Sequence, residues 1–272
     1  MATIAASPRV SALTIAGSDS SGGAGLQADL RAFSALEVHG ASVVTVVTAQ
    51  GTRGVRKADP LRPELVRAQL DAVLEDMRPA AIKTGALGNA AVVEIVADTL
   101  RRLESIPLVL DPVVNPTRGR ALLDDAGVGA FINELLPLAT LVVPNRMEAA
   151  RLAGAPVRTT RQARAACVAI VALGARAVYL KGGHFEGPES IDLFYDGSDF
   201  LELRAPRLDV PPMHGLGCTL SALITALLAR GESLPEAARR GHAIVHRALA
   251  QPAAVGEGLA VLGDLRRAVE AG

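Results

Sequence analysis

Six short β-rich runs recur along the chain, separated by stretches of helical periodicity, and each ends in glycine or polar residues. The runs are SALTIAG (11–17), ASVVTVVTA (41–49), AAIKTG (80–85), PLVLDP (107–112), TLVVP (140–144) and RAVYLKGG (176–183). Helical spacing of apolar residues falls between them, near 23–36, 63–76, 89–103, 124–136 and 159–173. Such alternation predicts a mostly parallel sheet with helices on both faces. The segment 191–206 breaks the rhythm: two β-rich stretches flank Asp-Gly-Ser-Asp, which predicts a hairpin and an antiparallel edge. Helices near 217–230 and 234–250 close the fold. No linker, repeat or low-complexity segment interrupts the pattern, and 272 residues that are half hydrophobic can bury a large core, so one α/β domain over 1–272 is expected.

Open α/β sheets bind ligands outside the carboxyl ends of their strands. Here those ends carry GSDSSGGAG, TAQGT, KTGALGN, DP, PNRME and KGGH in turn, and all should open on one crevice. GSDSSGGAG contains neither G-x-x-x-x-G-K-[ST] nor G-x-G-x-x-G, which removes the main support for a P-loop ATPase or a Rossmann dehydrogenase. Its glycines point instead to close backbone approach to a small ligand, with Asp19, Gln27 or Asp29 available to hydrogen-bond it. Turn chemistry alone would also explain both aspartates. Asn145 and Glu148, spaced i, i+3 at a helix start, could direct an amide and a carboxylate toward a magnesium ion, and Asp111 could join them. The plain alternative is an ordinary helix cap. Lys181, followed by two glycines, is placed to hold a nucleotide phosphate, or is an exposed strand-end lysine.

Lys plus Arg and Asp plus Glu both number 28, so net charge gives no reason to expect a nucleic-acid or membrane partner. The opening MATIAASPRVSALTIAG lacks the basic and apolar regions of a secretory signal, and no run of about 18 apolar residues occurs. A soluble, cytoplasmic protein is expected. Two cysteines make no disulfide framework, and Cys167 falls in the apolar helical pattern ARAACVAIVAL, as a core residue would. His242 and His246 share a helix face at i, i+4 without a third ligand nearby, which favours packing over zinc. Ser221 has no G-x-S-x-G elbow around it, so a hydrolase is not indicated.

The other cysteine is placed differently. In PPMHGLGCTLSALITALLAR (211–230), Gly215 and Gly217 precede Cys218, and the apolar run Leu220–Leu228 reads as an amphipathic helix. Cys218 then lies at a helix N-terminus, where unpaired N–H groups and the dipole favour an anion, either a bound phosphate or the thiolate itself. A lowered thiol pKa follows as an expectation. The alternative is a small buried residue.

Several of these segments together are similar to one family. ALTIAGSDSSGGAGLQADLRAFSALEVHGASVVTVVTAQGT, KTGALGNA, VLDPV, PNRMEAARLAG, LKGGH and HGLGCTLSALITALLARG follow the order and spacing of the hydroxymethylpyrimidine/phosphomethylpyrimidine kinases of thiamine synthesis. The resemblance spans roughly residues 11–250. It implies a ribokinase-like fold with a mostly parallel central sheet. It also implies transfer of the ATP γ-phosphoryl to 4-amino-5-hydroxymethyl-2-methylpyrimidine and then to its monophosphate, with Mg2+ and a homodimeric protein. By the same resemblance the pyrimidine lies against Ala24, Asp29 and Thr48, Gln50 recognises the base, and Gly85 and Ala86 line the pocket. Asn145 and Glu148 belong to a magnesium and phosphate motif, and Lys181 to the nucleotide region. Gly215 to Cys218 form an anion hole, with Cys218 as the base.

The chain departs from the family pattern in places. Met213 and Leu216 stand where threonines are common, Gly51 replaces a usual Asn, and Ala86 replaces a frequent Met. The glycines and Cys218 remain, so the backbone donors should survive. Two rivals stay open: a pyridoxal or pyridoxine kinase with the same Gly-Cys loop, and a catalytically silent ligand-binding relative.

Overall fold

The computed structural model describes residues 9–103, 105–114, 122–182 and 187–272. Eleven strands form among them: β1 (Ser11–Asp19), β2 (His39–Gly51), β3 (Gly54–Pro60), β4 (Ala81–Thr84), β5 (Leu108–Leu110), β6 (Leu141–Val142), β7 (Val178–Leu180), β8 (Glu189–Tyr195), β9 (Phe200–Pro206), β10 (Met213–His214) and β11 (Ala260–Val261). The first nine make one sheet in the order β3-β2-β1-β4-β5-β6-β7-β8-β9. Its centre, from β2 to β7, is parallel. The predicted hairpin is β8–β9, antiparallel at one edge, where Asp196 accepts from the backbone N–H groups of Ser198 and Asp199.

A second antiparallel edge, β3 on β2, went unforeseen. GVRKADP has almost no apolar residue to report a strand, because an edge of this kind faces water and is guarded by charge. The first two predicted parallel strands run longer than expected and the other four shorter, and Gly183 and His184 of the sixth loop lie outside the described residues, as does the start of the chain, 1–8.

Nine helices flank the sheet among the described residues: α1 (Gly25–Ala35), α2 (Pro63–Asp76), α3 (Ala90–Leu100), α4 (Asp125–Ala130), α5 (Arg146–Ala153), α6 (Thr160–Ala172), α7 (Leu216–Ala229), α8 (Leu234–Leu249) and α9 (Leu265–Glu270). The helix expected over 124–136 turns from α into a π-helical turn at Phe131–Leu135. Alternation along each strand sorts residues between two cores. Leu13, Ile15, Leu110 and Val142 pack with Val96, Phe131 and Ile170 on one face. Ala12, Val109, Leu141 and Tyr179 pack with Phe33, Leu223 and Ile224 on the other. Cys167 is fully buried in the first core, where burial pushes its thiol up to about 12.

One helix differs in character from its expected form. From Thr219 to Ala229 every residue of α7 is buried, because α1 and α8 pack against it over the sheet. A helix covered all round has no polar face to keep, so it is not amphipathic. Among the described residues no helix is long and apolar enough to cross a membrane.

Candidate active site

The carboxyl ends of the parallel strands and the start of α7 enclose a cleft of about 800 Å3, a size that suits small ligands. Every residue predicted for the site lines it except Gln27 and Asp29. The Asp29 carboxylate is fully buried under the floor, with Oδ2 accepting from Lys83 Nζ at 3.0 Å and Thr14 Oγ1 at 2.7 Å. The structure therefore puts Lys83, not Asp29, on the cleft wall, and Asp29 is its counter-ion. Burial opposes the Lys83 charge, but Asp29 outweighs it and holds the lysine above its usual range. A lysine among apolar residues in AAIKTG was the signal for this group.

At one end of the cleft the lining includes small residues, Gly17, Gly85 and Ala86, whose lack of bulk suits a flat ring. The polar rim there is largely bonded to the protein itself. Thr48 Oγ1 donates to the Ser18 carbonyl at 2.8 Å, and the Ala24 N–H donates to Asp19 Oδ2 at 2.8 Å. Gln27 Oε1 accepts from the Asp19 N–H at 2.8 Å, while Asp19 Oδ1 accepts from the Ser21 N–H at 2.9 Å. Asp19 and Gln27, candidates for direct ligand contact, thus fasten the loop after β1. Burial works against the Asp19 carboxylate, yet hydrogen bonds with His214, Ser21 and Ala24 more than offset it and hold its pKa at about 2. His214 Nε2 lies 2.9 Å from Asp19 Oδ2 and 3.0 Å from the Gln50 amide.

The other end is built around the start of α7. Gly215 has φ +78°, and a Cβ there would collide with the Gly23 carbonyl, so the two glycine loops touch only because both lack side chains. A Cβ on Gly217 would come within 2.9 Å of Lys181 Nζ. The lysine therefore sits against the first turn of the helix, whose N–H groups lack intrahelical partners and whose start no side chain caps. Lys181 Nζ lies 3.3 Å from Asp111 Oδ1 and 3.7 Å from Glu148 Oε2. Burial opposes its charge, but Asp111 and Glu148 carry its pKa above the ordinary lysine value. Ser221 Oγ donates to Asp111 Oδ2 at 3.1 Å, a tie between α7 and β5 that sequence reasoning missed.

Asn145 and Glu148 form a capping box at α5: Asn145 Oδ1 accepts from the N–H groups of Met147 and Glu148, and Glu148 Oε2 accepts from the Asn145 N–H at 2.7 Å. The cap and the cleft position coexist, because Asn145 bridges to Lys181 between neighbouring strand ends. Burial pushes the Glu148 carboxyl up to about 7, with Asp111 adding to it and Lys181 and the Asn145 N–H opposing. Cys218 occupies the first turn of α7 as expected, but its thiol does not behave as the helix start alone implied. Burial, reinforced by Asp111, pushes it up to about 12, and Lys83 and the Gly25 N–H only partly oppose this. Two histidines complete the far wall: His246 Nε2 donates to the Pro206 carbonyl at 3.0 Å, and burial lowers the pKa of His242. Among the described residues no group of three or more His, Cys, Asp or Glu is placed to hold a metal.

A mostly parallel nine-stranded sheet with antiparallel edges, whose strand ends meet a glycine-opened helix beside a lysine and two acids, defines a ribokinase-like kinase. Residues 19–262 match the phosphomethylpyrimidine kinase family, and the chain belongs to that family. It is 48% identical over 243 residues to a hydroxymethylpyrimidine/phosphomethylpyrimidine kinase of Rhizobium meliloti, covering 88% of this chain and 90% of that one. A Clostridium difficile phosphomethylpyrimidine kinase structure superposes with a TM-score of 0.78 at 35% identity, over 88% of this chain and 98% of that one. An ADP complex of Bacillus subtilis pyridoxal kinase superposes with a TM-score of 0.89 at 32% identity, over 97% of this chain and all of that one (100%).

Proposed function

We propose that the protein transfers the γ-phosphoryl group of ATP to the hydroxymethyl oxygen of 4-amino-5-hydroxymethyl-2-methylpyrimidine, and then phosphorylates the monophosphate to the diphosphate, in thiamine synthesis. The observation that carries this is the division of one cleft into a small-residue lining beside Gln50 and a glycine-opened helix start beside Lys181. A flat aminopyrimidine fits the first, and a transferring phosphoryl group fits the second. The membership of the kinase family joins the two.

Phosphoryl transfer needs positioning and charge stabilisation more than covalent help. The ring lies on Gly85 and Ala86 with Gln50 on its polar edge, so the hydroxymethyl group points toward Gly215–Cys218. The N–H groups of that first turn and the Lys181 ammonium hold the phosphoryl oxygens as charge develops on them. The new O–P bond forms as the bond to the leaving ADP oxygen breaks, and the hydroxyl proton departs to Cys218 Sγ. At rest burial keeps that thiol protonated, so this service requires Sγ first to give its proton to water in the open cleft as the complex loads, with Lys83 and the Gly25 N–H favouring the thiolate. Asp111 and Glu148 fit a Mg2+ held mainly by phosphate oxygens and water: they are two carboxylates with no third, and Glu148 is short of positive charge. Bound there, the ion would supply charge neutralisation on the nucleotide phosphates. The reading extends to one kinase domain over the whole chain, supported by a single sheet from β1 to β9, and to a cytoplasmic homodimer, which sedimentation and fractionation check.

A second reading, phosphorylation of pyridoxal or pyridoxine, is favoured by the likeness to the Bacillus subtilis pyridoxal kinase structure. Steady-state kcat/KM for hydroxymethylpyrimidine, its phosphate, pyridoxal and pyridoxine with Mg-ATP separates them. The pyrimidines should lead. Preference for the pyridines selects the second reading, and no phosphorylation of any of them leaves a silent ligand-binding protein.

A further inference from the structure

Within Met213–Cys218 the side chain held by the most partners is not the cysteine. His214 ends β10, is 6% exposed, and reaches across to the loop after β1 and to the end of β2. Its Nε2 faces Asp19 Oδ2 at 2.9 Å, and an ionised carboxylate only accepts, so Nε2 carries a proton. That proton constrains Gln50. As placed, Gln50 Nε2 faces His214 Nε2 at 3.0 Å and Gln50 Oε1 faces Thr48 Oγ1 at 3.1 Å. Two N–H donors would then meet at His214, while the Thr48 proton is already donated to Ser18. A half-turn of the amide exchanges its two atoms and resolves both conflicts. The Gln50 oxygen then shares the His214 Nε2 proton with Asp19 in a bifurcated bond, and its nitrogen donates to Thr48.

Three further facts show that this is a joint between loops and not an ordinary buried histidine. His214 Nδ1 is buried with no partner, so the polar contacts holding the ring are all made through Nε2. A Cβ on Gly23 would lie 2.5 Å from His214 Cδ2, so the imidazole packs directly on the backbone of the loop after β1. Asp19 also takes the N–H groups of Ser21 and Ala24, so one carboxylate grips that loop and the segment leading into α7 together.

We propose that His214 is a positioning residue that ties the orientation of Gln50, and so recognition of the ring, to the placement of the Gly215–Cys218 turn that receives the phosphoryl group. This rests on the kinase reading above. The imidazole acts through Gln50 and Asp19 and touches no reacting atom. Its loss takes one donor from the buried Asp19 carboxylate, leaves the half-buried Gln50 oxygen without its protein donor and releases the backbone before Gly215.

The test is a double-mutant cycle on kcat/KM with hydroxymethylpyrimidine. His214→Ala should raise the pyrimidine KM and lower kcat, each about tenfold, while the ATP KM stays within about twofold. Gln50→Ala should lower kcat/KM about tenfold or more, and the double variant should lose at least about tenfold less than the product of the single losses. His214→Gln, whose amide can donate near the Nε2 position, should recover part of the loss and serves the same cycle if the alanine variant does not fold. Losses that multiply, or an ATP KM that rises with the pyrimidine KM, overturn the coupling and leave His214 a packing residue. A parent protein inert to every alcohol in the panel overturns the kinase reading and this inference with it, whereas an active parent with multiplying losses overturns the inference alone.

Discussion

Asp19 and Glu148 are both buried carboxylates on the wall of one cleft, at its ring end and its phosphate end, and their surroundings treat them oppositely. Around Asp19, donors from Ser21, Ala24 and His214 more than repay burial, and the acid stays ionised down to about pH 2. Around Glu148, burial prevails over Lys181 and a single backbone N–H, and the carboxyl is pushed up to about 7. Hydrogen bonds to the charged form lower an acid's pKa, and burial without enough of them raises it. The ring end is therefore finished by the protein's own groups. The phosphate end is left short of compensation, which a ligand bearing cationic partners would supply, and perturbed groups in a cleft are where function concentrates.

The comparison breaks most visibly at Cys218, which shares the phosphate end with Glu148. Cys218→Ala keeps the backbone of Gly215–Gly217 but removes the proposed proton acceptor, so kcat should fall by ~10²–10⁴ with the ATP KM little changed. Stability should hold, because Ala removes a single sulfur at the edge of the cleft and remains compatible with a helix start. Turnover within about tenfold of the parent would mean that the N–H groups and Lys181 carry the reaction without a thiol base.

Stability against pH tests the two acids directly. Glu148 has a folded pKa above its unfolded value, so its contribution is fully present below about pH 4.5 and is lost as pH rises through about 7, a change on the order of 3 kcal/mol. Glu148→Gln should thus unfold at higher urea than the parent at pH 8 and at about the same urea at pH 4.5, while kcat drops and the magnesium requirement rises. A variant less stable than the parent at pH 8 would make the capping box, not the cleft, the main role of Glu148. Asp19 runs the other way. Its folded pKa is depressed, so its contribution is present above about pH 4 and lost as pH falls toward 2, about 2 kcal/mol. Asp19→Asn should cost about that much at pH 7, and the difference from the parent should shrink in acid. Equal stability at pH 7 would show that the donors around Asp19 do not hold the loop.

The same contrast separates what sequence reveals from what it hides. Alternating strands and helices, the β8–β9 hairpin and the gathering of loops at one sheet edge follow from periodicity and connection rules, which act locally. The β3 edge escaped because its charged residues suit solvent, and α7 was given a polar face that its neighbours cover. Within the site, Asn145, Glu148 and Lys181 were legible from spacing, and Cys218 and Gln50 owed their roles to the family resemblance. Lys83, Ser221 and His214 escaped because each acts through a partner more than 50 residues away, at 54, 110 and 195 positions of separation respectively. No local pattern records such pairs, although a lysine among the apolar residues of AAIKTG marks Lys83 itself.

The smallest effect expected is in cysteine labelling, and it decides whether helix-start reasoning or burial governs the thiol. A helix N-terminus favours the thiolate, so that argument alone predicts fast alkylation of Cys218 near neutral pH, levelling off once the thiolate has formed. Burial and Asp111 oppose it here and push the pKa to about 12, the same value to which burial takes Cys167. At pH 8 only about one Cys218 side chain in 10⁴ is then ionised, and iodoacetamide should modify Cys218 slowly in the free protein, ahead of the fully buried Cys167 only through its access to the cleft. The rate should keep climbing tenfold per pH unit up to the highest pH at which the fold survives. A plateau between pH 6 and 8 in the Cys218 rate would place the thiol in the company of Asp19 instead of Glu148, and the phosphate end would no longer be the uncompensated one.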